Sequence, residues 1–275
     1  MPELPEVETI MRGMAQSLSG HCIQSVTVRR ADLRKPFPAN LKECLEGSSI
    51  LGFTRRAKYI CMNLSHSWTL LLHLGMSGRV LLKSRPLDII TPHEHLSFET
   101  KEGIHFSLID PRRFGIVDLA KTGLEGDHPL LRHLGKEPFD PTFTVEYFHQ
   151  KLSRHKAAIK SVLLDQRVVA GLGNIYVNEA LFVAKISPFK AASSLKSYEV
   201  KKLKAALQAV LAQAIEAGGS SLRDYVKADG SMGYFQKEWK VYGCKDALCK
   251  HCGTVIESRF LAGRSTFYCR NCQKV

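Results

Sequence analysis

The sequence predicts an α+β chain in three parts: an N-terminal β-sandwich with a flanking helix, a helical domain, and a C-terminal four-cysteine hairpin finger. Three observations predict it. Eight short apolar runs follow one another between residues 23 and 120, separated by Gly, Pro, Ser and Asp; that is the pattern of a sandwich or barrel. From residue 144 the apolar spacing becomes helical. Five of the eight cysteines fall in the last 32 residues. The expected boundaries are 1–130, 131–239 and 240–275.

A chain of 275 residues, 44% hydrophobic, can bury more than one core. Its net charge is +13, from 39 basic and 26 acidic residues. Such a surface suits a polyanion, nucleic acid first, with a membrane face or plain solubility as alternatives. No run of 18 apolar residues is present, and the start carries Glu3, Glu6 and Glu8 rather than a basic stretch. A transmembrane helix and a signal peptide are therefore not expected, and the chain reads as cytosolic with no membrane partner.

The chain opens MPELPEVETI. Behind Pro5, the apolar residues Val7, Ile10, Met11, Met14 and Leu18 have helical spacing, and Gly20 ends the pattern. Proline fits a first turn because its missing N–H would be unpaired there anyway. Glu3 and Glu6 then sit where the helix dipole favours negative charge. The strand-like runs follow at 23–28, 50–54, 59–64, 69–74, 79–82, 95–100, 104–109 and 115–120.

The stretch 144–186 is helical and basic, and 194–217 forms a second amphipathic helix ending at Gly218-Gly219. Between helical residues lies Gly171-Leu172-Gly173-Asn174, with Asn174 a suitable N-cap for a helix from Ile175. Lys156 and Lys160 are spaced one turn apart on the preceding helix. Two readings stand: an anion site at the helix N-terminus, or a corner with a solvated basic face. Two turns between strands also carry chemistry. 110-DPRRFG-115 presents Arg112, Arg113 and Phe114; 73-HLGMSGR-79 places Met76 at a glycine-flanked tip. Met76 is either a satellite core contact or a wedge between base pairs.

The C-terminal cysteines form two C-x-x-C knuckles, 249-CKHC-252 and 269-CRNC-272, sixteen residues apart. Each knuckle offers two thiolates on one turn, and two knuckles complete a tetrahedral zinc site. The ligands are Cys249, Cys252, Cys269 and Cys272; Cys244 lies outside the spacing. Residues 254–260 and 266–268 can pair as a hairpin. Residues 240–275 hold seven Lys/Arg against two Asp/Glu, which suits a phosphate partner.

Taken in order, MPELPEVE, Lys58 in 56-RAKYI-60, 73-HLGMSGR-79, 110-DPRRFG-115, 171-GLGNIYVNE-179 and the finger with 264-RSTFYC-269 resemble the bacterial formamidopyrimidine-DNA glycosylases, the Fpg or MutM family. The sister family, endonuclease VIII, has PEGPE where this chain has 2-PELPE-6.

The resemblance implies a bifunctional glycosylase and abasic-site lyase of base excision repair, acting on oxidised purines. It also implies a helix–two-turns–helix in the middle domain, one structural zinc, a monomer, and double-stranded DNA held between domains, at the bacterial nucleoid. Pro2 becomes the nucleophile once Met1 is removed, Glu3 the general acid, and Glu6 a helper in proton transfer. Lys58 lies near the damaged nucleotide, and Arg264 grips phosphate and serves δ-elimination. His73, His93, Arg112, Arg113, Lys156 and Asn174 contact DNA. Met76, Arg112 and Phe114 fill the gap left by the flipped base. Residues 219–235 resemble the lesion-capping loop. Arg223 stands where some members have lysine and Cys244 where many have arginine, which leaves fine lesion preference open. Two rival readings are an endonuclease VIII-like enzyme for oxidised pyrimidines, and a silent DNA-binding protein if Met1 is retained.

Overall fold

A computed structural model describes residues 2–83, 91–219 and 239–274. Met1, Arg223 and all of the 219–235 segment except Gly219 lie outside them. The described residues form two compact units, one running to Arg132 with residues 217–219, the other from His133 to Glu216 with 239–274. No helix among them is long and apolar enough to cross a membrane.

The first unit begins with α1 (Leu4–Leu18), whose Val7, Ile10, Met14 and Leu18 are buried. It packs against β2 (Ile50–Arg56) and β3 (Tyr59–Leu64). These strands join β4 (Trp68–His73) and β8 (Ile116–Lys121) in the sheet β2-β3-β4-β8. A second sheet orders β1 (Ile23–Val28), β6 (Glu94–Thr100), β7 (His105–Ile109) and β5 (Arg79–Lys83) as β1-β6-β7-β5. All neighbours run antiparallel. One core, with Ile60, Met62, Leu70, Leu72, Phe98 and Phe106, collects residues of both sheets and of α1. Phe98 and Phe106 face each other across β6 and β7 with stacked rings. This is the expected sandwich with its flanking helix.

Two local features were not anticipated. α2 (Leu41–Leu45) buries Leu41, Cys44 and Leu45; five residues behind two prolines are too short to show a period. β2 continues past Thr54 to Arg56, because Arg56 pairs with Tyr59 and Ala57-Lys58 make a two-residue turn. Ala57 takes the positive φ (52°) that such turns need.

In the second unit the basic stretch 144–186 is three helices: α3 (Val145–Ser153), α4 (Ile159–Leu163) and α5 (Asn174–Val183). Thr144 caps α3 by accepting the Tyr147 N–H at 3.1 Å. α6 (Ser197–Glu216) packs on α3 and α5. Last come β9 (Glu257–Leu261) and β10 (Arg264–Tyr268), paired around Ala262-Gly263, both at positive φ. The hairpin starts three residues later than the sequence suggests, since residues 254–256 turn around the first cysteine knuckle: Cys249 N–H donates to the Thr254 carbonyl.

Candidate active site and nucleic-acid contacts

The acidic start is a helix cap. Glu3 is the N-cap of α1 and forms a capping box with Glu6, whose carboxylate accepts the Glu3 N–H at 2.8 Å. A cap of this kind stabilises a helix by about 1 kcal/mol. Both carboxylates are buried, 2% and 0% exposed, and Pro2 is buried with them. Gly219 also reaches this place. Its φ is +79°, and a Cβ there would lie 3.2 Å from Glu6 Cγ.

Lys58, at the β2–β3 turn, is buried too. Its charge is felt by His73 at the end of β4. Burial first, then the nearby Lys58 and Arg34, push the His73 pKa down to about 4. His73 is therefore a neutral imidazole near pH 7. Its Nδ1 accepts the Gly75 N–H at 3.1 Å, and its ring lies 4.8 Å from Tyr59. These contacts tie it to the 74–78 turn and to the start of β3.

The two turns singled out in the sequence meet around Asp110, which is fully buried. Its Oδ1 accepts the Ser77 hydroxyl at 2.7 Å and its Oδ2 the Gly115 N–H at 2.7 Å. Ser77 Oγ in turn accepts the Arg112 N–H at 3.1 Å. The Asp110 carbonyl is 3.2 Å from the Arg113 N–H that donates to it, and its own N–H donates to the His93 carbonyl. Gly75 seals the junction: a Cβ there would stand 2.4 Å from the Phe114 carbonyl carbon, at φ +59°. Met76 and Phe114 remain exposed (37% and 42%). The Arg112 guanidinium lies 5.1 Å over the Phe114 ring. His93 and Arg113 are exposed residues at positive φ (64° and 57°). Asp110, Ser77 and Gly75 lie inside the two turn motifs, but their partnership does not show in the sequence. An Asp opening a D-P turn was the one available signal.

In the second unit, two expectations are corrected. Gly173, not Asn174, is the N-cap of α5; Asn174 is the first helical residue, and its Nδ2 donates to the Ser265 carbonyl on β10 at 3.0 Å. Lys156 and Lys160 do not share a helix, because α4 begins only at Ile159. Lys156 is exposed in the preceding loop. Lys160 is fully buried, and its ammonium donates to the Ser265 carbonyl at 2.8 Å and the Thr266 hydroxyl at 2.7 Å. Burial first, then the charge of Arg264, pull its pKa down to about 8. Arg264 itself is exposed at the start of β10. Farther along α5, Asn178 Oδ1 accepts the Phe267 N–H at 2.9 Å. The buried Glu179 carboxylate accepts the N–H groups of Lys240, Val241 and Tyr242. The polar residues of 171-GLGNIYVNE-179 thus hold the finger.

The sulfurs of Cys249, Cys252, Cys269 and Cys272 all lie within 4.8 Å of one another. Four soft donors so gathered, closed by protein, fit a structural zinc. Hydrogen bonds, that of Thr254 first, lower the Cys252 pKa, whereas burial first raises those of Cys269 and Cys272; a bound cation would favour the thiolate form of all four ligands. Cys249 and Cys269 share a small core with Phe182, Val241 and Ile256. Cys244 is outside the cluster, its thiol donating to the Tyr242 carbonyl.

Known proteins carry the same arrangement. Three domain families match in order: formamidopyrimidine-DNA glycosylase N-terminal domain over residues 1–117, formamidopyrimidine-DNA glycosylase H2TH domain over 134–226, and the zinc finger found in FPG and IleRS over 248–275. Formamidopyrimidine-DNA glycosylase of Gluconobacter oxydans is 51% identical, with both chains fully covered. The Lactococcus lactis Fpg solved with DNA containing an abasic site is 34% identical, superimposes with a TM-score of 0.92, and both chains are fully covered. A MutM solved with DNA containing carbocyclic 8-oxo-G is 36% identical, with a TM-score of 0.91 and full coverage of both chains. Three matching domain families in this order, and a full-length relative 51% identical, accompany the capped N-terminus, the joined arginine and methionine turns and the four-cysteine finger: the chain belongs to the formamidopyrimidine-DNA glycosylase family.

Proposed function

We propose that this chain is a bifunctional DNA glycosylase and abasic-site lyase that removes 8-oxoguanine and formamidopyrimidines from duplex DNA at the nucleoid, then cuts the strand by β,δ-elimination. The observation that carries this reading is the burial of two carboxylates, Glu3 and Glu6, in a rigid helix cap directly after Pro2.

With Met1 removed, Pro2 offers a secondary amine whose pKa lies nearer neutrality than a lysine's, so part of it is the free nucleophile. Its nitrogen bonds to C1′ of the sugar as the bond from C1′ to the base breaks; Glu3 protonates the base, which leaves with the electron pair, and the proline nitrogen then gives its own proton to the Glu3 carboxylate. The ring oxygen then leaves C1′ with its pair and takes a proton from Glu3, while nitrogen forms a double bond to C1′. That iminium has no proton to lose and stays charged. It draws electrons, so C2′ gives up a proton, a C2′–C3′ double bond forms, and the 3′ phosphate departs with its electron pair. Loss of a proton from C4′ and of the 5′ phosphate completes δ-elimination. Glu6 fixes the Glu3 backbone and serves as proton relay. Lys58 faces the damaged nucleotide, and Arg264, with Asn174 and Lys156, holds phosphate. Met76, Arg112 and Phe114 fill the duplex where the base has left.

Borohydride reduces the iminium, so it should trap a covalent complex on an 8-oxoguanine duplex and much less on a thymine-glycol duplex. Glu3→Gln should keep DNA binding and lose base excision. No trapped complex on either duplex, from protein whose mass shows Pro2 at the N-terminus, would sink the proposal. Stronger trapping on thymine glycol would favour an endonuclease VIII-like specificity.

A further inference from the structure

We propose that Lys160 is a positioning residue for strand cleavage: it touches no DNA and acts by holding the backbone from which Arg264 projects. The inference rests on the reading of Arg264 as the phosphate-gripping residue.

A buried lysine is costly, because its ammonium leaves water. None of the ion pairs among the described residues includes Lys160. What it has instead is a pair of short hydrogen bonds to consecutive residues of β10, the Ser265 carbonyl and the Thr266 hydroxyl. Thr266 is fully buried, and its hydroxyl passes the contact on, donating to the Arg264 carbonyl at 3.5 Å. Asn174 grips the same Ser265 carbonyl from the start of α5. The peptide on the C-terminal side of Arg264 is therefore fixed from two elements of the helical part, α4 and α5. Arg264 stands next to the Ala262-Gly263 turn, where a free hairpin tip would sway. A guanidinium must meet a phosphate within hydrogen-bond distance to stabilise its departure, so a sway of about 1 Å is enough to weaken it severely. Lys160 supplies the anchor with a charge-assisted donor, stronger than a neutral one. The Arg264 charge lies near enough to oppose the Lys160 ammonium, so the two short hydrogen bonds are what hold that ammonium in place.

The test is single-turnover cleavage of a duplex with a preformed abasic site. β- and δ-products are resolved, and zinc per chain is measured on the same full-length protein. Arg264→Ala, Lys160→Met, the double variant and Thr266→Val are compared. Lys160→Met should keep its zinc and lose δ-product about tenfold, the order expected for losing two charge-assisted hydrogen bonds. The double variant should be no worse than Arg264→Ala alone, because both changes remove one action. Thr266→Val should show a smaller loss in the same direction. It decides the matter if Lys160→Met fails to hold zinc. Wild-type δ-yield in Lys160→Met, or in Thr266→Val where Lys160→Met cannot be read, overturns the proposal. So does a double variant that falls below Arg264→Ala by the full factor of Lys160→Met, which would mark a merely structural lysine. Wild-type δ-yield in Arg264→Ala would instead remove the phosphate role of Arg264, and the proposal with it.

Discussion

The Ser77 hydroxyl lies 2.7 Å from Asp110 Oδ1 and joins the two turns that carry Met76 and Arg112. One turn follows β4 and the other follows β7, so neither could hold its exposed side chains alone. The same carboxylate receives the Gly115 N–H on its other oxygen. Both oxygens are used, and no water is needed to satisfy them.

Asp110→Asn should therefore be harmful despite equal size. Its amide NH2 must face either Ser77, whose hydroxyl proton then loses its acceptor, or the Gly115 N–H, which sets donor against donor. We expect a loss of about 1–3 kcal/mol in urea unfolding, the usual cost of a buried group left unsatisfied. Ser77→Ala should cost less and should slow lesion cleavage, because the Arg112 N–H loses its acceptor. An unchanged urea midpoint for Asp110→Asn would contradict the hub.

Met76→Ala and Phe114→Ala should leave folding nearly untouched, since both side chains are substantially exposed. In the proposed role they should slow base eversion more than they weaken nonspecific DNA binding. The measurement is the eversion rate from a fluorescent base analogue beside the binding constant on undamaged duplex. Wild-type activity on duplexes from the double variant would refute the wedge.

Gly219→Ala should strain the site twice. An L side chain resists φ +79°, and its Cβ would crowd Glu6. A destabilisation of about 1 kcal/mol is expected from the backbone alone. Base excision should fall as well, because Glu6 holds the Glu3 N–H. Single-turnover base release at saturating enzyme checks this, and an unchanged rate would mean that Glu6 tolerates the shift.

His73 sets a pH dependence. Its pKa is about 4 in the fold, against a model-peptide value of 6.5. The unfolded chain thus binds the proton more readily between these values. Stability from the neutral ring is fully present above pH 6.5 and is lost as pH falls toward 4. Urea midpoints of wild type and His73→Gln should converge over that window on acidification. Parallel curves from pH 7 to 4 would show that His73 does not titrate there.

The metal prediction separates Cys244 from its neighbours. Cys249→Ser should lose the zinc, loosen the small core around Phe182, and impair DNA binding and strand cutting together. Cys244→Ser should keep one zinc per chain and near-normal cleavage. Zinc content and lesion cleavage of both variants decide this; a zinc-free Cys244→Ser would move the ligand set.

Much of the molecule was legible in the residues. The strand runs were readable because a sandwich strand is short, apolar and bounded by turn residues, as in Tyr59–Leu64. The zinc ligands were readable because chelation on a tight turn needs a fixed local spacing, and Cys249 and Cys252 carry it. The start of α1 was readable because Pro5 in a first turn and acids at a helix N-terminus are local signals, whereas the capping box that Glu3 and Glu6 close came from the structure. Each of these is decided by neighbours in the chain.

Only the tertiary structure decided the rest. Lys160 and Lys156 have the same local chemistry, yet one is buried under β10 and the other is exposed. Nothing near position 160 announces Ser265 and Thr266, which lie more than a hundred residues away. Asn174 reads as a cap from its neighbours, but a distant carbonyl captures its side chain and Gly173 takes the cap instead. Asp110 and Ser77, 33 residues apart, become partners only when β5 and β7 pair. Periodicity and spacing report the short-range forces that shape an element. A buried polar group is satisfied by whatever the fold brings to it, and that choice is written in the packing of the whole chain.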